Sequence, residues 1–496
     1  MRDRIAVLSV SLLLLVLFGA CGGSSHSSSH NEVPVVVSIS DQASNVGVLS
    51  FDIQVTSACL VTSAFATDCT GAQSLLPDAP MNVQIANMQT PLQSDALATT
   101  NVQGGSYTGI VVTFGTASVS VNVDPNTTAA DTATPPNSCT AGATPKICEL
   151  SPSFTSSFVS LPFSKAAKFS AGQPTSVSIE FSVADSLVGT TAGNTTTFTI
   201  TPILAAGVST IPGSGGSLID ISNVTGPVTN IVTTSFTLTD SATGQPVTVA
   251  TFSGTTTFNG FSNCNTNNLA CLQVGQIVTV DYAVSDSNPL VLSASSVTNN
   301  NGFENGQAFE GTVVATTPTP MVVVTAVLAG NTQGVINGEV LTLVPPGTSA
   351  GFSVAVPAGQ TLPTNVSFAA AGDLVVGQNV LIDSTGVNDG VVTADAIELE
   401  PTQFDGTVSS ITSPDLTVNG LNNFFNDNGI TSVEVQTGTQ TTYGGIVATS
   451  GFNGITVGDQ ANFDGFLFNG GAGQIPVVFG ENVFDNANAG AMKKPN

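Results

Sequence analysis

The sequence predicts an all-β protein, an N-terminal β-sandwich followed by three tandem small β-barrels, and three observations lead there. One ten-residue phrase is written three times, as Leu272–Asp281, Leu374–Asp383 and Ile455–Asp464. Each copy has an opening aliphatic residue, a Val-Gly pair, apolar residues three and five positions after the Gly, and a closing Asp. Apolar residues at alternate positions describe a strand with one buried face, entered here through a glycine turn. The second observation is composition. Gly numbers 50 and charged residues are only 8%, while Val, Thr, Ser and Asn dominate, a mix that suits pleated strands and tight turns. The third is a period-two alternation of apolar and polar residues upstream of the repeats.

Taken in order, the chain opens with Arg2 and Arg4 before a largely apolar run, Ile5 to Phe18. That is the pattern of a signal peptide over 1–20, too short for a transmembrane helix. It ends in Leu17-Phe18-Gly19-Ala20-Cys21. Small residues before a Cys resemble the bacterial lipobox, with Phe18 where Leu is usual. The resemblance implies that Cys21 is lipidated; ordinary secretory cleavage is the competing reading. The Ser-rich stretch that follows makes 21–32 a flexible tether between an anchor and a folded domain, which favours lipidation. The expected address is the cell envelope, as an outer-membrane lipoprotein facing the periplasm or the surface. His26 and His30 lie in this tether and are read as spacer residues, not metal ligands.

Residues 33–207 read as the sandwich. Pro34–Asp41 is a first strand and Gly47–Val55 a second, whose Leu49, Phe51, Ile53 and Val55 share one face. Ser50, Asp52 and Gln54 fall on the other face, expected to be wet. Ser176–Val183 alternates in the same way, Thr196–Leu204 closes the domain, and Gly105–Phe114 is a turn feeding a strand. The opening strand ending in Asp41, the turn at Tyr107-Thr108, the segment Phe181 to Ser186 and the closing Thr201-Pro202 resemble an uncharacterised bacterial envelope lipoprotein domain of unknown function. That family usually has Asp-Ala-Pro after the first strand, where this chain has Asp41-Gln42-Ala43. The resemblance implies an envelope protein and assigns no functional residue.

A Gly/Ser/Pro-rich linker, 208–222, precedes repeats at 223–306, 307–400 and 401–486, with a tail at 487–496. Each repeat opens on a Gly-led strand, at Gly226, Gly311 and Gly406, and closes on a strand near Leu292, Val392 or Val478. A repeat of this size with five or six strands suits a small closed barrel, which leaves no open sheet edge, and the OB-like (oligonucleotide/oligosaccharide-binding-like) shape fits best. The copies also resemble a second envelope domain of unknown function found in tandem. Asp281, Asp383 and Asp464 would serve either as cation ligands or, the favoured reading, as strand-terminal residues that fix a turn.

Setting Cys21 aside, the cysteines fall into near neighbours, Cys59 with Cys69, Cys139 with Cys148, and Cys264 with Cys271. In an exported chain these predict local disulfides. Zinc is the alternative, but no His lies near them and no Cys-x-x-Cys occurs. With both His in the tether, no Ser-His-Asp or Cys-His arrangement is expected. Gly347-Thr348-Ser349-Ala350-Gly351 matches a nucleophile elbow as a string but has no helical pattern behind it, and reads as a loop. The turns Asn388-Asp389-Gly390 and Asp427-Asn428-Gly429 lack calcium-loop spacing and read as hairpin turns. No cofactor is implied.

The net charge of −26 would repel nucleic acid and anionic headgroups, so no nucleic-acid partner is expected. The membrane, reached through the anchor, and an envelope or extracellular molecule remain as partners. The function so indicated is a non-catalytic display, adhesion or binding scaffold. The alternative is a carboxylate-dependent hydrolase acting on polysaccharide, since 33 Asp and Glu are present and such chemistry needs only two.

Overall fold

A first strand rich in valine becomes the centre of a sheet. Glu32–Asp41 lies between a parallel neighbour, Thr175–Phe181, and an antiparallel one, Asp95–Gln103, with Leu204–Ser209 completing four strands. A computed structural model describes residues 31–41, 47–63, 65–85, 95–123, 128–130, 138–139, 146–193, 195–209, 217–251, 255–261, 269–285, 290–300, 307–329, 334–356, 361–445, 447, 449–471 and 474–485. A second sheet is built on Val48–Val61 and the long strand Gly105–Val123, flanked by Met81–Gln84, Lys146–Leu150 and Phe158–Phe169. Val35, Val37 and Ile39 from one sheet share a core with Phe51, Ile53 and Val119 from the other. Phe181 closes that core against Phe51 and Phe114. This is the sandwich.

Several expectations about it need correction. Leu49 does not share a face with Phe51, Ile53 and Val55: a register shift between Val48 and Ser50 puts Val48 in the sandwich core and turns Leu49 away from it, among Ile147, Val314 and Val323. Thr196–Leu204 is not one strand. Thr195–Ile200 and Leu204–Ser209 belong to different sheets, separated by a segment containing Pro202, which has no N–H for a ladder. The linker is also shorter than 208–222. The last sandwich strand runs to Ser209 and the first barrel strand starts at Ser217.

Each barrel has five principal strands. They are Ser217–Ile231, Ser235–Thr239, Pro246–Ala250, Ile277–Ser285 and Leu292–Asn299 in barrel 1. Barrel 2 uses Gln307–Ala315, Met321–Ala329, Val340–Val344, Asn379–Asn388 and Val391–Glu400. Barrel 3 uses Thr402–Thr412, Asp415–Asn419, Ser432–Gly445, Gln460–Phe468 and Val477–Asp485. In all three the spatial order is third, second, first, fourth, fifth, and a parallel pairing of fifth with third closes the ring. A closed five-stranded ring of this kind is OB-like.

The repeated phrase explains why the three rings agree. Gly275, Gly377 and Gly458 have φ of +92°, +94° and +101°, a region open chiefly to glycine. Their N–H groups donate to the carbonyls of Val228, Val313 and Val408 in the first strands, at 2.7, 2.8 and 2.8 Å. The N–H groups of those same three valines donate back to Gln276, Gln378 and Asp459. The side chain after each Gly, on Gln276, Gln378 or Asp459, accepts from the backbone N–H three residues earlier. Val278, Val380 and Ala461 then enter three separate cores, as do Val280, Ile382 and Phe463. Opposite them stand Gly226, Gly311 and Gly406, which lie inside the first strands and do not open them, contrary to expectation. A Cβ on Gly311 would sit 2.8 Å from the Val323 carbonyl, so the first two strands approach only because that atom is missing.

Asp281, Asp383 and Asp464 do not end strands, contrary to expectation. The fourth strand continues past each of them, and each marks a bulge against the fifth strand. A bulge adds local twist, which a small ring needs in order to close.

The four domains are packed into one another. Val36, on the outer side of the first strand, joins barrel 1's core together with Ala96. Ile277 of barrel 1 packs among Ala308, Ala326, Leu328 and Leu381 of barrel 2. Phe466, Phe468 and Phe479 of barrel 3 cluster with core residues of barrel 2. The Gly377 turn of barrel 2 lies against the ring of Phe425 in the short helix Asn423–Asp427, and Gln378 Nε2 donates to the Leu467 carbonyl.

Candidate functional site

The polar face of the second sandwich sheet is not wet as expected. Ser50 and Asp52 are 0% and 9% exposed, because a turn of barrel 2, 335–340, lies across them. The match is chemical. Gln84 accepts from the Phe51 N–H at 2.7 Å and donates to Ser50 Oγ at 2.6 Å, which fixes the sandwich side. Ser120 Oγ donates to the Gly338 carbonyl, and Asn337 Nδ2 donates to Asp52 Oδ2 at 3.0 Å. The Val340 N–H donates to Glu149 Oε1 at 2.8 Å. A buried polar face is tolerable only when its groups find partners in this way.

At the margin of this seam a cleft of about 340 Å³ opens. Its floor is Asp52, Asn82, Thr116 and Ser118 from the sandwich, and its wall is Val327, Val335, Ile336 and Asn337 from barrel 2. Strand register makes the floor. Asp52 stands opposite Ser118 on one neighbour, and Gln54 stands opposite Asn82 on the other. Burial pushes the Asp52 carboxyl above its ordinary value, and the Asn337 hydrogen bond opposes part of that rise. Ile336 is 61% exposed, so the cleft has an aliphatic lip open to solvent. The arrangement can hydrogen-bond and pair charge on one side while covering apolar surface on the other.

The residues singled out from the sequence lie elsewhere. Cys21, His26, His30 and Cys264 are outside the described residues, as is the side chain of Cys139. Cys59 and Cys69 form a disulfide with their Cα atoms 5.7 Å apart. Cys148 and Cys271 are also disulfide-bonded, and the backbone of Cys139 pairs directly opposite Cys148. Asp281 accepts from Ser296 Oγ at 2.7 Å across to the fifth strand. The carboxyl of Asp383 is pushed up by burial and then by the charge of Asp395. Ser349 sits in a single helical turn between two strands, a loop and not a strand–turn–helix elbow.

The two acidic turns differ. Asp389 and Gly390 both have positive φ and join fourth and fifth strands as a tight hairpin. Asp427 instead ends a helix and accepts from Asn122 Nδ2 of the sandwich at 2.7 Å, so the hairpin expected there is corrected. Its helix forms because Asn422 caps the N–H of Phe425. None of the cleft residues carries a sequence signal beyond strand alternation. Neither a scan against family models nor a search of curated proteins finds a match.

Proposed function

We propose that the protein is a lipid-anchored component of the bacterial cell envelope that acts by display and binding, with the cleft between sandwich and barrel 2 as its recognition site. The leader and Cys21 in the sequence support the anchor, and the packing of four β domains against one another supports the binding role. Because its floor and wall come from two domains held by hydrogen-bonded seams, the cleft keeps its shape before any ligand arrives, which lowers the ordering cost of binding. Among the described residues a single carboxylate, Asp52, lines the cleft, so the paired-carboxylate hydrolase gains no support from it. The partners are the membrane, through Cys21, and a molecule of the envelope or its surroundings, not nucleic acid.

The address is tested by Cys21→Ser in the full-length chain. The variant should leave the membrane fraction, and the wild-type N-terminus should carry acyl chains by mass spectrometry. A variant that stays membrane-bound, beside a wild type without lipid, would remove the anchor from this reading.

A further inference from the structure

The chemistry of the cleft narrows what it can hold. We propose that it binds a small organic cation, an ammonium or guanidinium group on an aliphatic body, with the Asp52 carboxylate as counter-ion; this rests on the binding role above. Asp52 is nine-tenths buried, and its side-chain partner across the seam is the neutral amide of Asn337. Among the described residues no Lys, Arg or His lines the cleft. A carboxylate moved out of water is costly unless a positive charge meets it, so a cation entering here regains energy that a neutral ligand does not. Burial already pushes the Asp52 carboxyl upward, as expected of a charge lacking a counter-ion.

The remaining lining selects among cations. Asn82, Thr116 and Ser118 offer oxygen acceptors to the other N–H groups of an ammonium. Ile336, mostly exposed at the lip, offers cover for an alkyl chain. A bare divalent ion fits poorly, because calcium takes six to eight oxygen ligands and one wall is aliphatic. The net charge of −26 favours approach of any cation and disfavours anions. That general field must be separated from the site.

The experiment is titration of the detergent-solubilised full chain, followed by calorimetry or ligand-observed NMR. The probes are n-butylammonium and Nα-acetyl-lysine methylamide, set against n-butanol and butyrate. Wild type should bind both ammonium probes at least tenfold tighter than butanol and should not bind butyrate. Asp52→Asn should remove that advantage while leaving butanol unchanged. Thr116 is exposed, so Thr116→Leu should preserve the fold and weaken all binding by filling the cleft. A preference for the lysine derivative would point to a side chain of a protein partner, and a preference for butylammonium to a free amine. Butanol binding as well as butylammonium, or ammonium binding unchanged in both variants, overturns the proposal. Neither result depends on where Cys21 places the chain, so the anchor and the cleft fail separately.

Discussion

Barrel 2 is held on two sides by different physics. Toward the sandwich most of its partners are hydroxyls, amides and carboxylates, among them Ser120, Gln84, Asp52 and Glu149, beside an apolar patch where Leu49 and Ile147 meet Val314 and Val323. Toward barrel 3 rings dominate, with Phe466 and Phe468 fully buried and Phe425 pressed on the Gly377 turn, and Gln378 adds a hydrogen bond to the Leu467 carbonyl. Burying aromatic surface is strongly favourable and indifferent to register, whereas a polar seam gains little net energy per bond and tolerates only one alignment. The rings therefore supply much of the stability and the polar contacts most of the geometry, and the cleft opens among the polar contacts.

The sharpest test is to delete a ring. Phe466→Ala should cost about 3–5 kcal/mol, read as a lower denaturation midpoint, because it empties a fully buried site. A loss no larger than that of a surface substitution would mean the apolar seam is not the stabilising one.

A buried carboxyl should behave in the opposite way. Glu398, 5% exposed beside Leu381, has its carboxyl raised by burial from 4.5 to about 7. Since the folded value lies above the unfolded one, the native state keeps its proton longer than the unfolded chain does. Stability is thus fully present below about 4.5 and falls as pH rises toward 7. Glu398→Gln should be near neutral at pH 5 and more stable than wild type at pH 8, by on the order of 3 kcal/mol. Parallel pH profiles for the two proteins would contradict this.

Two glycines refine the comparison. Gly377→Ala and Gly458→Ala both place a side chain at positive φ, at a cost of about 1 kcal/mol. Only Gly377 faces a ring, so its substitution should cost roughly 1–3 kcal/mol more by overpacking. Equal midpoints for the pair would show that Phe425 yields freely. The polar seam is probed by Asn337→Ala, which should cost about 1.5–3 kcal/mol in thermal stability, as one hydrogen bond to a buried carboxylate is lost. A cost rivalling that of Phe466→Ala would reverse the roles assigned to the two seams.

Much of the fold was legible because strand periodicity and turn glycines are local. The Val-Gly phrase reports a backbone need at Gly275, Gly377 and Gly458, and the residues after it report inward faces. Domain docking was not legible. Ser50 and Asp52 alternate with Phe51 in the same pattern whether water or a polar turn covers them. The cleft was hidden for a related reason, since Asp52, Asn82, Thr116 and Ile336 come from four separate segments and no motif joins them. The Asp residues of the phrase were misread because a bulge leaves no mark in a single strand and appears only in its register with the next.

The position of the first strand bears on mechanics. Glu32–Asp41 enters at the middle of its sheet, bonded to Asp95–Gln103 on one side and Thr175–Phe181 on the other. A tug on the chain ahead of Glu32 cannot unzip an edge one bond at a time. It must drag a strand past two neighbours together while pulling Val35, Val37 and Ile39 from the core. Force applied from the N-terminal end should therefore meet its highest rupture peak at the start of unfolding.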